Sequence, residues 1–312
     1  MNAEINDFSN YLRTLDRSPI TVSGYLRDLD LFSTWFEQTN GTAFAAENIT
    51  SLDIRDYRQY LQTIRGMRAV SVNRKLSAIS AFLNWACQSG KISSSPMEHV
   101  HQLARTVPGP RYLDRNQQNA LLRTLEKEYQ QATQQRYPYR WRIYRRDVYL
   151  VRFLLATGIR LSEVVSMQLA SFTLERGQST LVVHGKGNKE RIVPLNPDAC
   201  QALQDWLSIR PQTDLPNCWL SMNGSDADYP PRPLSARSIN MIFQRIAHLS
   251  GISNLTPHLL RHTFAKNLIN HGFGLETVAA LLGHSNLNTT RLYVTPNSQD
   301  LARAVNSISQ HE

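Results

Sequence analysis

Thr180-Leu181-Val182-Val183-His184-Gly185-Lys186-Gly187-Asn188-Lys189-Glu190-Arg191-Ile192-Val193-Pro194-Leu195 is the stretch on which the fold class turns. Two β-prone runs, residues 180–184 and 191–195, flank a glycine-rich basic tip at 185–189, the pattern of a β-hairpin. Most of the surrounding chain reads as helix, so a small antiparallel element sits in a mainly α chain. Towards the C-terminus the pattern predicts a helix over about 235–250, one opening at Thr256-Pro257 and shorter ones beyond; towards the N-terminus, a helix ends before Thr157-Gly158. Further back, Ser18-Pro19 supplies a cap residue and a first-turn proline. Val22, Tyr25, Leu26, Leu29, Phe32, Trp35 and Phe36 then recur at helical steps until Gly41. Ile54, Tyr57, Tyr60, Leu61 and Ile64 mark a second helix, and Val72 to Cys87 a third.

Ser93-Ser94-Ser95-Pro96 and Pro108-Gly109-Pro110 interrupt the pattern, which predicts an interdomain linker over residues 92–112. The expected organisation is an all-α domain at 1–91 and an α+β domain at 113–312. The chain has 312 residues, long enough for two domains, and its 41% hydrophobic content suffices for real cores. With 34 Lys plus Arg against 25 Asp plus Glu, the net charge of +9 favours an acidic partner, a nucleic acid or an anionic membrane surface. No run of 18 uncharged apolar residues would cross a membrane. Met1-Asn2-Ala3-Glu4 carries an acid where a secretory leader has its basic region. Three scattered cysteines (Cys87, Cys200, Cys218) argue against a disulfide framework and fit a reducing cytoplasm.

Residues able to carry chemistry fall in four places. Thr157-Gly158-Ile159-Arg160 is a glycine turn that can aim Arg160 into a cleft, with Ser162 and Glu163 suited to the next helix's first turn. Lys186 sits at the hairpin tip, where glycines permit close backbone approach to a polyanion. His258 and Arg261 share a helical face, a pairing that can orient a phosphate and move a proton. The fourth place is Gly283-His284, followed nine residues later by Tyr293. His258 and His262 have metal-ligand spacing, yet no Glu stands beside the first His and Arg261 would repel a cation. No acid occurs in the set, so it is an anion site rather than a metal centre. A Ser-His-Asp hydrolase finds no Gly-x-Ser-x-Gly elbow.

Five arginines (Arg136, Arg140, Arg142, Arg145 and Arg146) interleave with Tyr137, Tyr139, Trp141 and Tyr144. Arginine with aromatics suits contact with a nucleic-acid backbone through charge and stacking. The alternative is a helix start whose aromatics cover the adjacent core. Asn73, Arg74 and Lys75, opening the third N-terminal helix, are further DNA-contact expectations.

Taken in order, Arg160, Lys186, His258, Arg261, His284 and Tyr293 resemble the catalytic set of the tyrosine recombinases, the phage-integrase family. The strings ATGIRLSE (156–163), HGKGNKERIVPL (184–195), TPHLLRHTFA (256–265) and LLGHSNLNTTRLY (281–293) carry the likeness, nearest to the Xer-like branch. SPITVSGYLRDLDLFSTWF (18–36) and SVNRKLSAISAFLNWA (71–86) resemble the family's helical, SAM-like core-binding domain. The chain departs from the pattern in its longer segment around 136–146 and in Val-Thr-Pro after Tyr293.

The resemblance implies a site-specific recombinase that cleaves and rejoins duplex DNA through a 3′-phosphotyrosine on Tyr293, without cofactor, ATP or metal. In that reading Arg160 and Arg261 clamp the phosphate and Lys186 protonates the leaving oxygen. His258 assists the tyrosine's proton, and His284 donates to a phosphate oxygen. The expected partners are a double-stranded recombination site, further copies forming a tetramer on DNA, and a second recombinase or accessory protein. The segment from Leu301 to Ile308 would dock on a neighbouring copy or on its own domain. Mobile-element transfer and chromosome-dimer resolution both fit as biological roles. The rival reading is a DNA-binding regulator that never cleaves.

Overall fold

Helical periodicity in the first ninety residues becomes four long helices. The computed structural model describes residues 2–15, 17–104, 111–132, 140–175, 177–185, 190–222, 230–284, 286–291, 293 and 305. The chain divides into two compact units, Met1–Val107 and Pro108–Glu312.

The first unit holds α1 (Ala3–Thr14), α2 (Pro19–Asn40), α3 (Ser51–Thr63) and α4 (Ala69–Gln88). Local signals start and stop them. The Ser18 hydroxyl accepts the N–H of Thr21 with Pro19 in the first turn, and α2 ends at Gly41 in the left-handed region, φ 67°. Thr50 and Asp53 form a reciprocal capping box on α3. Helix α1 is an element that the sequence reading did not anticipate; the Asn2 side chain caps it. Phe8, Phe32, Phe36, Phe44, Tyr57 and Phe82 are buried together. Edge-on pairs such as Phe8–Phe82 (5.6 Å between centroids, 84°) and Phe32–Phe44 (5.9 Å, 89°) fix how the helices interlock.

The start of α4 corrects an expectation. Asn73 is fully buried: its Nδ2 donates to the Leu103 carbonyl and its Oδ1 accepts the Leu103 N–H, both at 2.9 Å. Lys75 is also buried, with Nζ 2.9 Å from Asp28 Oδ1. Both are internal ties and are not exposed for DNA. For Asn73 the cause is the Leu103 backbone, and for Lys75 it is Asp28, a buried carboxylate on α2 that requires compensating charge from α4. Arg74 pairs with the same carboxylate but keeps 50% of its side chain exposed.

The second unit contains α5 (Arg115–Ala132), α6 (Arg140–Thr157), α7 (Leu161–Ser166), α8 (Pro197–Ile209), α9 (Ala236–Ser250), α10 (Pro257–Asn270), α11 (Leu275–Leu282) and α12 (Leu287–Arg291). Helix α6 is the hub, packed by α5, α8 and α10. The hairpin is β2 (Thr180–His184) against β3 (Glu190–Pro194), and a short β1 (Phe172–Thr173) extends it to a three-stranded antiparallel sheet. A second two-stranded sheet pairs β4 (Leu220–Ser221) with β5 (Arg232–Pro233). Leu181, Val183 and Val193 turn into the core, while Ile192 faces outward, as strand alternation requires. The hairpin tip, with Lys186, lies outside the described residues, as does most of Leu301 to Ile308.

The arginine-aromatic segment opens α6, and here a second correction arises. Arg146 is buried, donating to Asp147 Oδ1 through Nε (3.0 Å) and Nη2 (2.6 Å) and to the Leu220 carbonyl through Nη1 (3.0 Å). Arg245 reaches Asp147 Oδ2 (3.0 Å) and Glu128 from α9, so Arg146 belongs to a buried ionic network and is no DNA contact. Arg145 stacks over Tyr129 (4.6 Å) and Trp141 (5.3 Å), and Arg142 over Trp141 (5.5 Å). Arg140 is exposed. Arg136 lies outside the described residues.

Candidate functional site

Helix α11 ends with carbonyls that have no partner within the helix. Three arginines from three elements take the last of them, one each. Arg191 Nε, on β3, donates to Leu281 O at 3.0 Å; Arg261 Nη2, on α10, to Leu282 O at 2.6 Å; and Arg160 Nη2, before α7, to Gly283 O at 2.6 Å. Positive charge at a helix C-terminus also meets the negative end of its dipole. The guanidinium groups are thereby held side by side over one helix end.

Glu163 fixes the same group from behind. Its carboxylate accepts from Arg160 N (2.7 Å) and Nη1 (2.8 Å) and from Arg191 Nη1 (2.8 Å) and Nη2 (2.9 Å). Burial alone would raise its pKa, but the Arg191 hydrogen bonds, the Arg160 backbone N–H, the Arg191 charge and the Arg160 side-chain hydrogen bond outweigh that and hold it at about 2. Two of the three cations thus share one carboxylate and the third has none, so the surplus is positive. Arg261 is 2% exposed, and burial followed by Arg160 lowers its pKa to about 10, leaving it charged at neutral pH.

Two glycines make the approach possible. Gly158 has φ 62°, and a Cβ there would meet Phe264 Cδ1 at 2.4 Å; its carbonyl accepts from Arg261 Nη1 at 2.9 Å. Gly283 has φ 65°, and a Cβ would lie 2.9 Å from Arg191 Nη1.

The Thr256 side chain accepts the N–H of Leu259, starting α10 with Pro257 in its first turn, which sets the phase that brings His258, Arg261 and His262 to this cleft. His258 and His262 meet edge to face, centroids 4.2 Å apart. Tyr293 is 2% exposed; its hydroxyl lies 2.7 Å from His262 Nδ1, and its ring stacks on His284 at 6.3 Å and 15°. His284 Nδ1 is 2.9 Å from Thr290 Oγ1. All three imidazoles are pushed towards the neutral form. Burial dominates; Arg261 and Arg160 then act on His258 and His284, and His258 and Arg261 on His262, with His262 and His284 brought to about 4. Burial raises the Tyr293 phenol, and Arg261 and Arg160 oppose it.

Five of the six residues singled out in the sequence, Arg160, His258, Arg261, His284 and Tyr293, therefore converge. Lys186 lies outside the described residues, while β3, which follows it in the chain, is tied to the cluster by Arg191. The reading missed Arg191 and the role of Glu163, and it considered His262 only as half of a metal pair. Among the described residues no group of three His, Cys, Asp or Glu could hold a metal ion. No described helix is long and apolar enough to cross a membrane.

Comparison with known proteins follows the same division. The phage integrase family matches residues 111–300, and the phage integrase N-terminal SAM-like domain matches 5–90. Tyrosine recombinase XerC of Pelobacter propionicus is 31% identical, covering 93% of this chain and 89% of that protein. XerC of Pediococcus pentosaceus is 30% identical over 93% and 92%. Among solved structures, XerH site-specific recombinase bound to palindromic difH substrate superposes with a TM-score of 0.71 at 22% identity, covering 92% of this chain and 79% of that one.

Proposed function

The chain belongs to the phage integrase family of tyrosine recombinases, and from that premise we propose that it cleaves and rejoins duplex DNA at a specific site through Tyr293. The observation that carries the assignment is the surplus-positive cradle of Arg160, Arg191 and Arg261 beside a buried tyrosine hydroxyl. A scissile phosphodiester brings negative charge to that cradle, and its non-bridging oxygens gain more in the pentacoordinate transition state. Arg160 and Arg261 each spend two of a guanidinium's five donors on described partners, leaving N–H groups for those oxygens. Tyr293 attacks phosphorus to form a 3′-phosphotyrosine, the 5′-hydroxyl departs, and a different 5′-hydroxyl later reverses the step. The bond energy stays in the covalent link, so joining requires no ATP. By resemblance Lys186 protonates the departing oxygen, and His284 donates to a phosphate oxygen.

Because Tyr293 is buried, DNA engagement must open the cleft so that the phosphate reaches its hydroxyl. Arg74 and Arg140, together with Arg142, Arg145 and Arg136, are the remaining basic positions proposed to follow the DNA backbone. Strand exchange needs two duplexes and four tyrosines, so four copies assemble on DNA. A second recombinase or accessory protein joins them where the two half-sites differ. Mobile-element transfer and chromosome-dimer resolution use the same chemistry.

Covalent capture tests the proposal. The protein is incubated with a pool of nicked duplexes randomised around the nick, and denaturation-resistant adducts are recovered and sequenced. The expected result is adduct at a recurring sequence with the wild type and none with Tyr293→Phe. Equal adduct from both proteins removes Tyr293 as nucleophile. Sequence-selective binding without any adduct favours the non-cleaving regulator.

A further inference from the structure

The hydroxyl that must lose a proton during cleavage has one described hydrogen-bond partner, and it is not the histidine that the family pattern points to. Tyr293 Oη lies 2.7 Å from His262 Nδ1, one helical turn beyond His258 on α10. The rings are 5.2 Å apart at 56°, and the pair is enclosed, since Tyr293 is buried and Lys266 Nζ holds its carbonyl at 3.5 Å. We propose that His262 is a catalytic residue: it accepts the Tyr293 phenolic proton as the phosphotyrosine forms. This rests on the recombinase reading above and names a base within it.

The step balances without any further reactant. The Tyr293 Oη–P bond forms, the P–O5′ bond breaks, the phenolic proton passes to His262 Nδ1, and the 5′-oxygen takes a proton from the general acid, Lys186 by resemblance. Rejoining runs each transfer backwards. With the ring proton on Nε2, His262 Nδ1 is a free acceptor, and neutrality of the imidazole keeps it so. In the resting site burial first, then His258 and Arg261 on its own helix, keep the imidazole neutral, and His284 and Arg160 border the same cleft. A bound phosphodiester offsets the Arg261 charge and to that extent strengthens the base as substrate arrives. His258, exposed and edge-on at 4.2 Å, offers the proton a way out to solvent.

His262→Gln and His262→Asn retain polar side chains but cannot take a proton. The assay is single-turnover adduct formation on the duplex recovered by covalent capture, followed from pH 6 to 9. Both variants should form adduct about 10²–10⁴-fold more slowly than wild type at pH 7. Their rates should climb about tenfold for each pH unit, as hydroxide replaces the missing base, whereas the wild-type profile stays flatter. A duplex with sulfur in place of the bridging 5′-oxygen, whose leaving group needs no acid, should rescue Lys186→Ala and leave His262→Gln slow. Rates within threefold of wild type, a constant deficit at every pH, or rescue by sulfur would each overturn the assignment; the constant deficit marks a purely structural role. If either variant fails to fold, the other supplies the profile. Absence of adduct from the wild type itself overturns the recombinase reading and this inference with it.

Discussion

Glu163→Gln preserves the shape of the side chain that braces Arg160 and Arg191 and removes its charge. Four hydrogen bonds of 2.7–2.9 Å converge on this carboxylate, and its side chain is 4% exposed, so solvent screens little of the effect. An ordinary Glu titrates near 4.5; this one is held at about 2. At about 1.4 kcal/mol per tenfold in proton affinity, the difference corresponds to roughly 3 kcal/mol at neutral pH. The folded pKa is the lower one, so the stabilisation is complete above about pH 4.5 and fades as pH falls towards 2. By pH 3 less than half should remain, about 1.4 kcal/mol. For a unit of this size the neutral-pH loss lowers Tm by about 6–12 °C. Scanning calorimetry of the full chain, wild type against E163Q at pH 7 and pH 3, reads it directly. A Tm difference under about 2 °C at pH 7, or the same difference at both pH values, would refute the reasoning.

Three further outcomes follow from other contacts. Gly158→Ala places a methyl 2.4 Å from Phe264 Cδ1 at φ 62°, so backbone strain of about 1–2 kcal/mol adds to a clash. Tm and adduct formation should both fall, and an unchanged adduct rate would contradict the coupling of this turn to Arg261. Arg146→Ala removes two hydrogen bonds from the buried Asp147 carboxylate and leaves Arg245 as its remaining cation; thermal melting should show a loss of about 1–3 kcal/mol. Weaker DNA affinity with unaltered melting would instead restore Arg146 as a DNA contact. His262 and His284, both held at about 4, protonate more readily in the unfolded chain, so stability should drop as pH falls from about 6.5 to 4. Replacing both with Gln should flatten the Tm profile across that window, and an already flat wild-type profile would count against it.

What the sequence disclosed was whatever a few neighbouring residues decide. Ser18-Pro19 and Thr256-Pro257 announce helix starts because the cap hydroxyl bonds an N–H three residues on. The hairpin at 180–195 is legible because alternation and glycine punctuation are local too. The order of Arg160, His258, Arg261, His284 and Tyr293 carried the site because a family resemblance stores distant geometry in a linear pattern. Asn73, Lys75 and Arg146 misled for the converse reason. Each owes its burial to a partner far along the chain, Leu103, Asp28 and Leu220 respectively, and no local signal separates a buried cation from a solvated one. Arg191 was hidden in a basic hairpin, where one arginine looks like the next. What sets His262 apart from His258 is the residue that stands opposite, Tyr293, 31 positions later.

The triad of carbonyls at Leu281, Leu282 and Gly283 has a consequence for anyone engineering this enzyme. Acceptors made of main chain survive side-chain replacement, so apolar exchanges at 281 and 282 should leave the arginine cradle aligned. The weak point is spacing. Inserting or deleting one residue in α11 would turn its end by about 100° and carry all three carbonyls away from their arginines in a single event. Libraries meant to retarget DNA specificity can therefore vary the exposed positions of this helix and make apolar exchanges at its buried ones, but must never vary its length.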